Sequence, residues 1–233
     1  MLVLAHRGAC REAPENTLEA FRIARAVGAD GVELDVRRTA EGALVVHHDA
    51  EAVGLGALHE RSLDELRAAR PEIPTLEEAL DELAGLLVNV EIKNLPGDAD
   101  FDEHDGVARA VVELLHGRDG RDRVLVSSFN LGTVDRVHAL GPEVATGWLT
   151  LLGLDPLDAV PVAAGRGHRA LHPDDRSLPG PVLGAVVERA HGLGLSVHVW
   201  TVDDPERVRE LSAAGIDAVI TNEPAGALRV LGR

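Results

Sequence analysis

Short apolar runs alternate with longer helical patterns along nearly the whole chain, and this alternation restricts the possible architectures more than any other feature. Eight runs read as strands: Leu2 to Ala5, Gly31 to Asp35, Leu87 to Ile92, Val124 to Ser127, Val144 to Leu149, Ala170 to Leu171, Ser196 to Trp200 and Ala218 to Thr221. Between them, apolar residues at helical spacing predict helices over Leu18 to Val27, Thr75 to Ala84, Gly106 to Leu115, Leu131 to Leu140, Pro181 to Leu193 and Pro205 to Ala214, with a last one near Ala225 to Leu231. Thr17 and the Thr75/Glu78 pair supply helix starts, and Asp204 before Pro205 supplies another. Leu151 to Arg169 is crowded with Gly, Pro and Asp and has no clear period.

Eight strands interleaved with helices allow either a closed (β/α)8 barrel or an open doubly wound sheet, and the polar residues separate the two. His6-Arg7, Glu33/Asp35, Glu91/Lys93, Ser127/Ser128, His172, Trp200 and Thr221-Asn222 each fall at the C-terminal end of a different strand, where barrel enzymes assemble their sites. An open sheet would gather them at one switch point. The expectation is an α/β protein with a TIM (β/α)8 barrel, one domain over residues 1–233, carrying a short loop insertion at about 50–73. No glycine-rich dinucleotide fingerprint, P-loop or nucleophile elbow occurs.

A formal charge of −16 repels nucleic-acid backbones and anionic membrane surfaces at long range. The expected partner is therefore a small molecule, with no nucleic acid and no stable membrane association. An anionic substrate would need a local positive pocket. One cysteine, Cys10, rules out an internal disulfide and fits a reducing compartment, and no apolar run reaches the ~18 residues of a membrane span. The chain thus reads as soluble and cytoplasmic.

Glu33 and Asp35 sit two apart among Val32, Leu34 and Val36, so a strand places both carboxylates on one face. Like charges that close call for a cation. Glu91 ends another apolar run and brings a third carboxylate to the same height; three carboxylates suit Mg²⁺ or Ca²⁺ better than Zn²⁺. Lys93, the lone lysine among 23 basic residues, shares the face of Glu91. Arg7 can fork two hydrogen bonds to a phosphate and His6 can shuttle a proton. A hairpin turning at Glu41-Gly42 would return His47, His48 and Asp49 toward the acids. On a strand, adjacent histidines point opposite ways; His48, whose tautomer Asp49 can fix, is the one expected in the site, and His47 is structural or exposed. Glu15 and Asn16, beside the helix-starting Thr17, either orient the first loop or face the site. Trp200 and Trp148 at strand ends serve either the core or the apolar part of a substrate.

Together the ordered pieces HRG, ENT, ELDVR, HHD, PTLEEAL, EIK, SSF, WTV and TNEP resemble the glycerophosphodiester phosphodiesterase family over about residues 3–225. The resemblance implies a TIM barrel that hydrolyses glycerophosphodiesters to glycerol 3-phosphate and an alcohol with a divalent metal cation, Ca²⁺ or Mg²⁺. By position it implies His6 and His48 as the acid/base pair, Glu33, Asp35 and Glu91 as metal ligands, and Arg7 and Lys93 as phosphate-binding residues. Trp200 would contact the glycerol or its neighbour, and Glu15 and Asn16 would belong to the site's supporting shell. It also implies attack by the substrate's own 2-hydroxyl, with a cyclic phosphate that water then opens. The chain departs from the family between Asp49 and Pro74, where many members carry a longer insertion that caps the pocket. Two rivals remain at this level: a phospholipase-D-like relative on the same barrel that stops at the cyclic phosphate, and a non-catalytic phosphodiester-binding barrel. A binding module has no use for two proton-shuttling histidines.

Overall fold

The structure, a computed structural model, describes residues 1–118, 120 and 122–233. In chain order the elements are β1 (Leu2–His6), α1 (Leu18–Ala26), β2 (Gly31–Arg38), β3 (Leu44–Val46), β4 (Glu51–Ala52), β5 (Gly56–Ala57), α2 (Leu63–Ala69), α3 (Leu76–Glu82), β6 (Leu87–Ile92) and α4 (Gly106–Gly117). They continue with β7 (Arg123–Ser128), α5 (Leu131–Leu140), β8 (Ala145–Thr150), α6 (Pro156–Gly165), β9 (Ala170–Pro173), α7 (Gly180–Gly192), β10 (Ser196–Val199), α8 (Pro205–Ala213), β11 (Ala218–Thr221) and α9 (Pro224–Val230). Eight parallel strands, β1, β2 and β6 to β11, pair in sequence order, and β1 bonds to both β11 and β2. The sheet is therefore a closed barrel, and the molecule is a single-domain TIM barrel as the alternation predicts.

The outward strand faces that the helices cover are apolar, while the inward faces also carry buried polar residues such as Asn89, Ser127, His172 and His198. Val3, Val197, Val199 and Val219 face outward and pack with residues of α6 to α9, while Val32, Leu34, Val36, Val88, Val90 and Ile92 pack with α1, α3 and α4. The opposite faces of the strands fill the interior, where Leu4, Ala218 and Ile220 cluster with Leu2, Leu87 and Trp200. Thr17 caps α1 by accepting from the Ala20 amide, and Thr75 and Glu78 form a reciprocal capping box on α3. Both starts are legible in the sequence.

Three elements differ from expectation. A helix, α6, occupies the stretch without a clear period, started by Asp155 and Pro156 and containing Pro161. The 50–73 segment is ordered rather than a plain loop: it holds the β4/β5 pair and α2, which opens on a Ser62/Glu65 capping box that the apolar pattern does not reveal. The hairpin at Glu41-Gly42 forms, pairing β3 antiparallel to β2, but β3 ends at Val46, so His47 and His48 lie beyond the strand.

Gly31 shows how tightly the barrel closes. A Cβ there would lie 2.2 Å from the Leu87 carbonyl oxygen and 2.7 Å from Leu4 Cδ2, and backbone cannot yield as a flexible side chain does. Gly31→Ala should therefore destabilise the fold by about 2–3 kcal/mol. Gly184, exposed in α7 with open space around it, should gain about 0.5–1 kcal/mol on replacement by Ala. Urea-unfolding midpoints of the two variants should move in opposite directions.

Candidate active site

The register of β1, β2 and β6 builds the site. His6 pairs with Glu33, and two residues further along Asp35 pairs with Glu91, so residues from three neighbouring strands arrive on two adjacent levels at the strand ends. Glu33, Asp35 and Glu91 are all buried and offer oxygens within 4.8 Å of one another. Burial and the charges of Asp35 and Glu91 push the Glu33 carboxyl well above the usual carboxylate range. Burial raises Glu91 to about 7 against the pull of Lys93. Burial also opposes the charge of Asp35, but Lys93 and Arg7 outweigh it and hold this carboxyl at about 2.

Lys93 reaches across from the end of β6, its Nζ 2.9 Å from Asp35 Oδ1 and in a very short contact with Glu91 Oε1. Glu91, Asp35 and their hydrogen bonds raise its pKa despite burial. Arg7 places Nε 3.2 Å from Asp35 Oδ2 and donates from Nη1 to Glu15 Oε1 at 2.9 Å. Its backbone has φ 57, and Asn16 has φ 58; both sit in the left-handed region, folding the first loop back over the carboxylates. Asn16 then donates from Nδ2 to Asp35 Oδ2 at 2.8 Å and accepts from the Asp35 amide at 3.3 Å. Glu15 thus contacts Arg7 of the first loop, and Asn16 contacts Asp35 of the acidic cluster.

The two imidazoles flank this cluster. His6 Nδ1 is 2.7 Å from Asn222 Oδ1, and Asn222 donates from its own Nδ2 to Asp203 Oδ2 at 2.8 Å. That second bond fixes which end of the amide faces His6, so His6 is protonated at Nδ1 and presents Nε2 toward Glu33 Oε2, 3.9 Å away. His48 Nδ1 likewise donates to Asp49 Oδ1 at 2.7 Å. Burial lowers the pKa of both rings; the Asn222 bond opposes this at His6, while at His48 Lys93 adds to it and Asp35 opposes it. His47 places Nδ1 2.9 Å from the Asp49 carbonyl oxygen. His47 and His48 share the wall of a cavity of about 410 Å³ with Glu15, Asn16, Arg70 and Glu72.

Across the mouth, Trp200 and Phe129 meet edge to face with ring centroids 5.3 Å apart, and Lys93 Nζ lies 5.8 Å from the Phe129 centroid. Trp148 packs against the outer core instead. The sequence places Asn222 at a strand end but does not reveal Phe129 or the Asp203 that holds Asn222. Phe129 has a signal in the SSF motif; Asn222 has one in its strand-end position.

His172 is placed differently from expectation. β9 extends to Pro173, two residues past the apolar run, which sinks His172 into the closed interior against His198, ring centroids 4.7 Å apart. Among the described residues, neither ring nitrogen of His172 has a protein partner, and the interior Asn89 amide and Ser127 hydroxyl also lack one.

A family model described as the glycerophosphoryl diester phosphodiesterase family matches residues 6–226. The chain belongs to that family. Its members are phosphoric diester hydrolases, and this chain is an enzyme of that class. It is 33% identical to a glycerophosphodiester phosphodiesterase of Caldanaerobacter subterraneus subsp. tengcongensis, over 96% of this chain and 94% of that one. A crystal structure of glycerophosphodiester phosphodiesterase from Thermotoga maritima superposes with a TM-score of 0.84 at 29% identity, covering 100% of this chain and 98% of that one. An Oleispira antarctica phosphodiesterase in complex with the product sn-glycerol-3-phosphate matches with a TM-score of 0.84 at 26% identity, over 100% and 97% of the two chains. Among the described residues, no helix is long and apolar enough to cross a membrane.

The acidic cluster fits a divalent cation. Its donors are all carboxylate oxygens, the set preferred by hard ions, and Glu33 Oε1 is buried with no hydrogen-bond partner among the described residues.

The interior histidines make the fold acid-sensitive. Burial holds His198 at about 4 against an ordinary 6.5, with Asp217 opposing, and burial together with His198 holds His172 well below 6.5. The unfolded chain binds these protons first, so the contribution is complete above pH 6.5 and is lost as pH falls through the folded-state values. For His198 the loss should reach about 2–3 kcal/mol by pH 4.5. Urea titrations of wild type and His198→Gln at pH 7 and pH 4.5 should show the stability gap narrowing on acidification.

Proposed function

We propose that this enzyme hydrolyses glycerophosphodiesters to glycerol 3-phosphate and a free alcohol, with Glu33, Asp35 and Glu91 holding a divalent cation, Ca²⁺ or Mg²⁺. One observation carries the reading: two imidazoles, each fixed at Nδ1 by an acceptor, flank a buried carboxylate cluster that also holds Arg7 and Lys93. A non-catalytic phosphodiester binder would need the cations but not that pair.

Arg7 and Lys93 supply the positive pocket that a chain of charge −16 needs for an anionic substrate, and they bind the phosphate oxygens. The cation, when bound, contributes Lewis-acid stabilisation of the phosphate and lowers the pKa of a coordinated hydroxyl. With Nδ1 committed, each ring works through Nε2. One imidazole removes the proton from the attacking glycerol 2-hydroxyl as its oxygen bonds to phosphorus. The bond from phosphorus to the alcohol oxygen breaks, and the other imidazole protonates that oxygen. The cyclic phosphate is then opened by water with the proton roles reversed. Each transfer contributes about 10²- to 10⁴-fold. Trp200 and Phe129 form the apolar wall against which the glycerol carbons lie.

Glycerol 3-phosphate release from glycerophosphocholine and glycerophosphoethanolamine, with and without chelator, tests the reaction; accumulation of cyclic phosphate would favour the phospholipase-D-like outcome instead. Chelation, Glu33→Gln and Glu91→Gln should each abolish turnover, and full activity in excess chelator would remove the metal from the assignment.

Side-chain tests separate the remaining roles. His6→Ala and His48→Ala should each lower kcat by about two orders of magnitude or more, while His47→Ala should stay near wild type. Lys93→Arg should lose most activity with the fold intact, because a planar fork cannot occupy a point between Asp35 and Glu91 that suits a compact ammonium. Wild-type kinetics for Lys93→Arg would assign Lys93 a generic charge.

A further inference from the structure

Arg37 continues the two-residue period of Glu33 and Asp35 along β2, yet its guanidinium is spent on protein. The side chain is 6% exposed. Nε donates to the His48 carbonyl oxygen at 2.8 Å, Nη1 donates to Asp100 Oδ1 at 2.5 Å, and Nη2 lies 3.5 Å from Asp98 Oδ2. One planar group thus joins three segments: the end of β2, the turn after β3 that carries His48, and the loop between β6 and α4.

A buried ion pair of this kind is a poor device for stability, because desolvating both charges consumes much of their attraction and an apolar pair of similar volume often does as well. Its value is geometric. Asp100, 3% exposed, holds one edge of the guanidinium and so fixes the direction in which Nε points. The turn needs such a fixed point. Past Val46 the β2–β3 ladder has ended, and His47 N–H to the Asp35 carbonyl oxygen is its last extension. The Asp49 carboxylate that orients the His48 ring is itself 74% exposed.

We propose that Arg37, held by Asp100, is a positioning residue that sets the place of the His48 imidazole over the acidic cluster. The proposal rests on the assignment of His48 to the acid/base pair. A lysine would not replace it, because a single ammonium on a flexible stem cannot hold the His48 carbonyl and the Asp100 carboxylate in one rigid plane.

The test is a set of kcat and KM measurements on glycerophosphocholine in metal-saturated enzyme, with variants made in wild-type and His48→Ala backgrounds and unfolding midpoints recorded alongside. Arg37→Met should lower kcat about 10- to 100-fold, with KM within about 3-fold, since misplacing a proton-transfer group by an ångström acts on the transition state. Arg37→Lys should recover little of that loss. Asp100→Asn keeps an acceptor at Nη1 and should cost less than about 5-fold. In the His48→Ala background Arg37→Met should change kcat by no more than about 2-fold, because there is no imidazole left to place.

An equal fold-loss in both backgrounds, or wild-type kcat in Arg37→Met, overturns the proposal while leaving His48 in its role. Wild-type kcat in His48→Ala overturns the acid/base assignment and the proposal together. If Arg37→Met fails to fold because Asp100 is stranded as a buried charge, Arg37→Met/Asp100→Leu removes both charges and is compared with His48→Ala in the same way: a loss confined to the His48 background supports the proposal, and an equal loss in both backgrounds overturns it.

Discussion

Everything at the mouth of this barrel follows from three carboxylates buried within 4.8 Å of one another. Unbalanced, such a cluster cannot stay charged. Burial and mutual repulsion favour the proton on Glu33 and Glu91, whereas Lys93 and Arg7 keep Asp35 ionised. The two cations must therefore approach closely, and the local structure is bent to allow it: Arg7 and Asn16 take left-handed backbone conformations, and the first loop folds over the strand ends. Under the proposed function a divalent ion would complete the same balance, and a substrate phosphate would then meet a pocket whose net charge suits it.

The electrostatic demand also explains the surrounding supports. Imidazoles beside a charged cluster would reorient as protonation changes unless another atom fixed them. Asn222 and Asp49 do this at the two Nδ1 atoms, and Asp203 in turn fixes Asn222 through bonds to its side-chain and backbone amides. The arrangement is layered: Asp203 holds Asn222, and Asn222 holds His6.

Strand period, helix starts and strand-end polar residues are local properties, and from them the barrel and the convergence of Glu33, Asp35, Glu91, Lys93 and His6 are legible in the sequence. What escapes depends on distances along the chain or on small changes of register. His172 reads as a mouth residue until β9 is seen to run on to Pro173. His48 reads as part of a strand until β3 stops at Val46. The α2 helix hides in a segment with little apolar pattern, and α6 carries a proline in its interior that sequence rules treat as a breaker. The partnership of Asn222 with His6 has no local signature, because it exists only when β11 lies beside β1.

That last contact bears on how the enzyme comes into being. His6 and Asn222 are separated by 216 positions, and the strands that carry them are paired across the seam where the barrel closes. During synthesis the first of these residues emerges long before the second, and contacts of such high sequence separation form late because the intervening chain must be ordered first. A nascent or partly folded chain can assemble the carboxylates of β2 and β6 while His6 is still free to rotate. Under the proposed acid/base role of His6, competence for proton transfer would arrive with the final strand, and catalytic activity would double as a report that the barrel has shut.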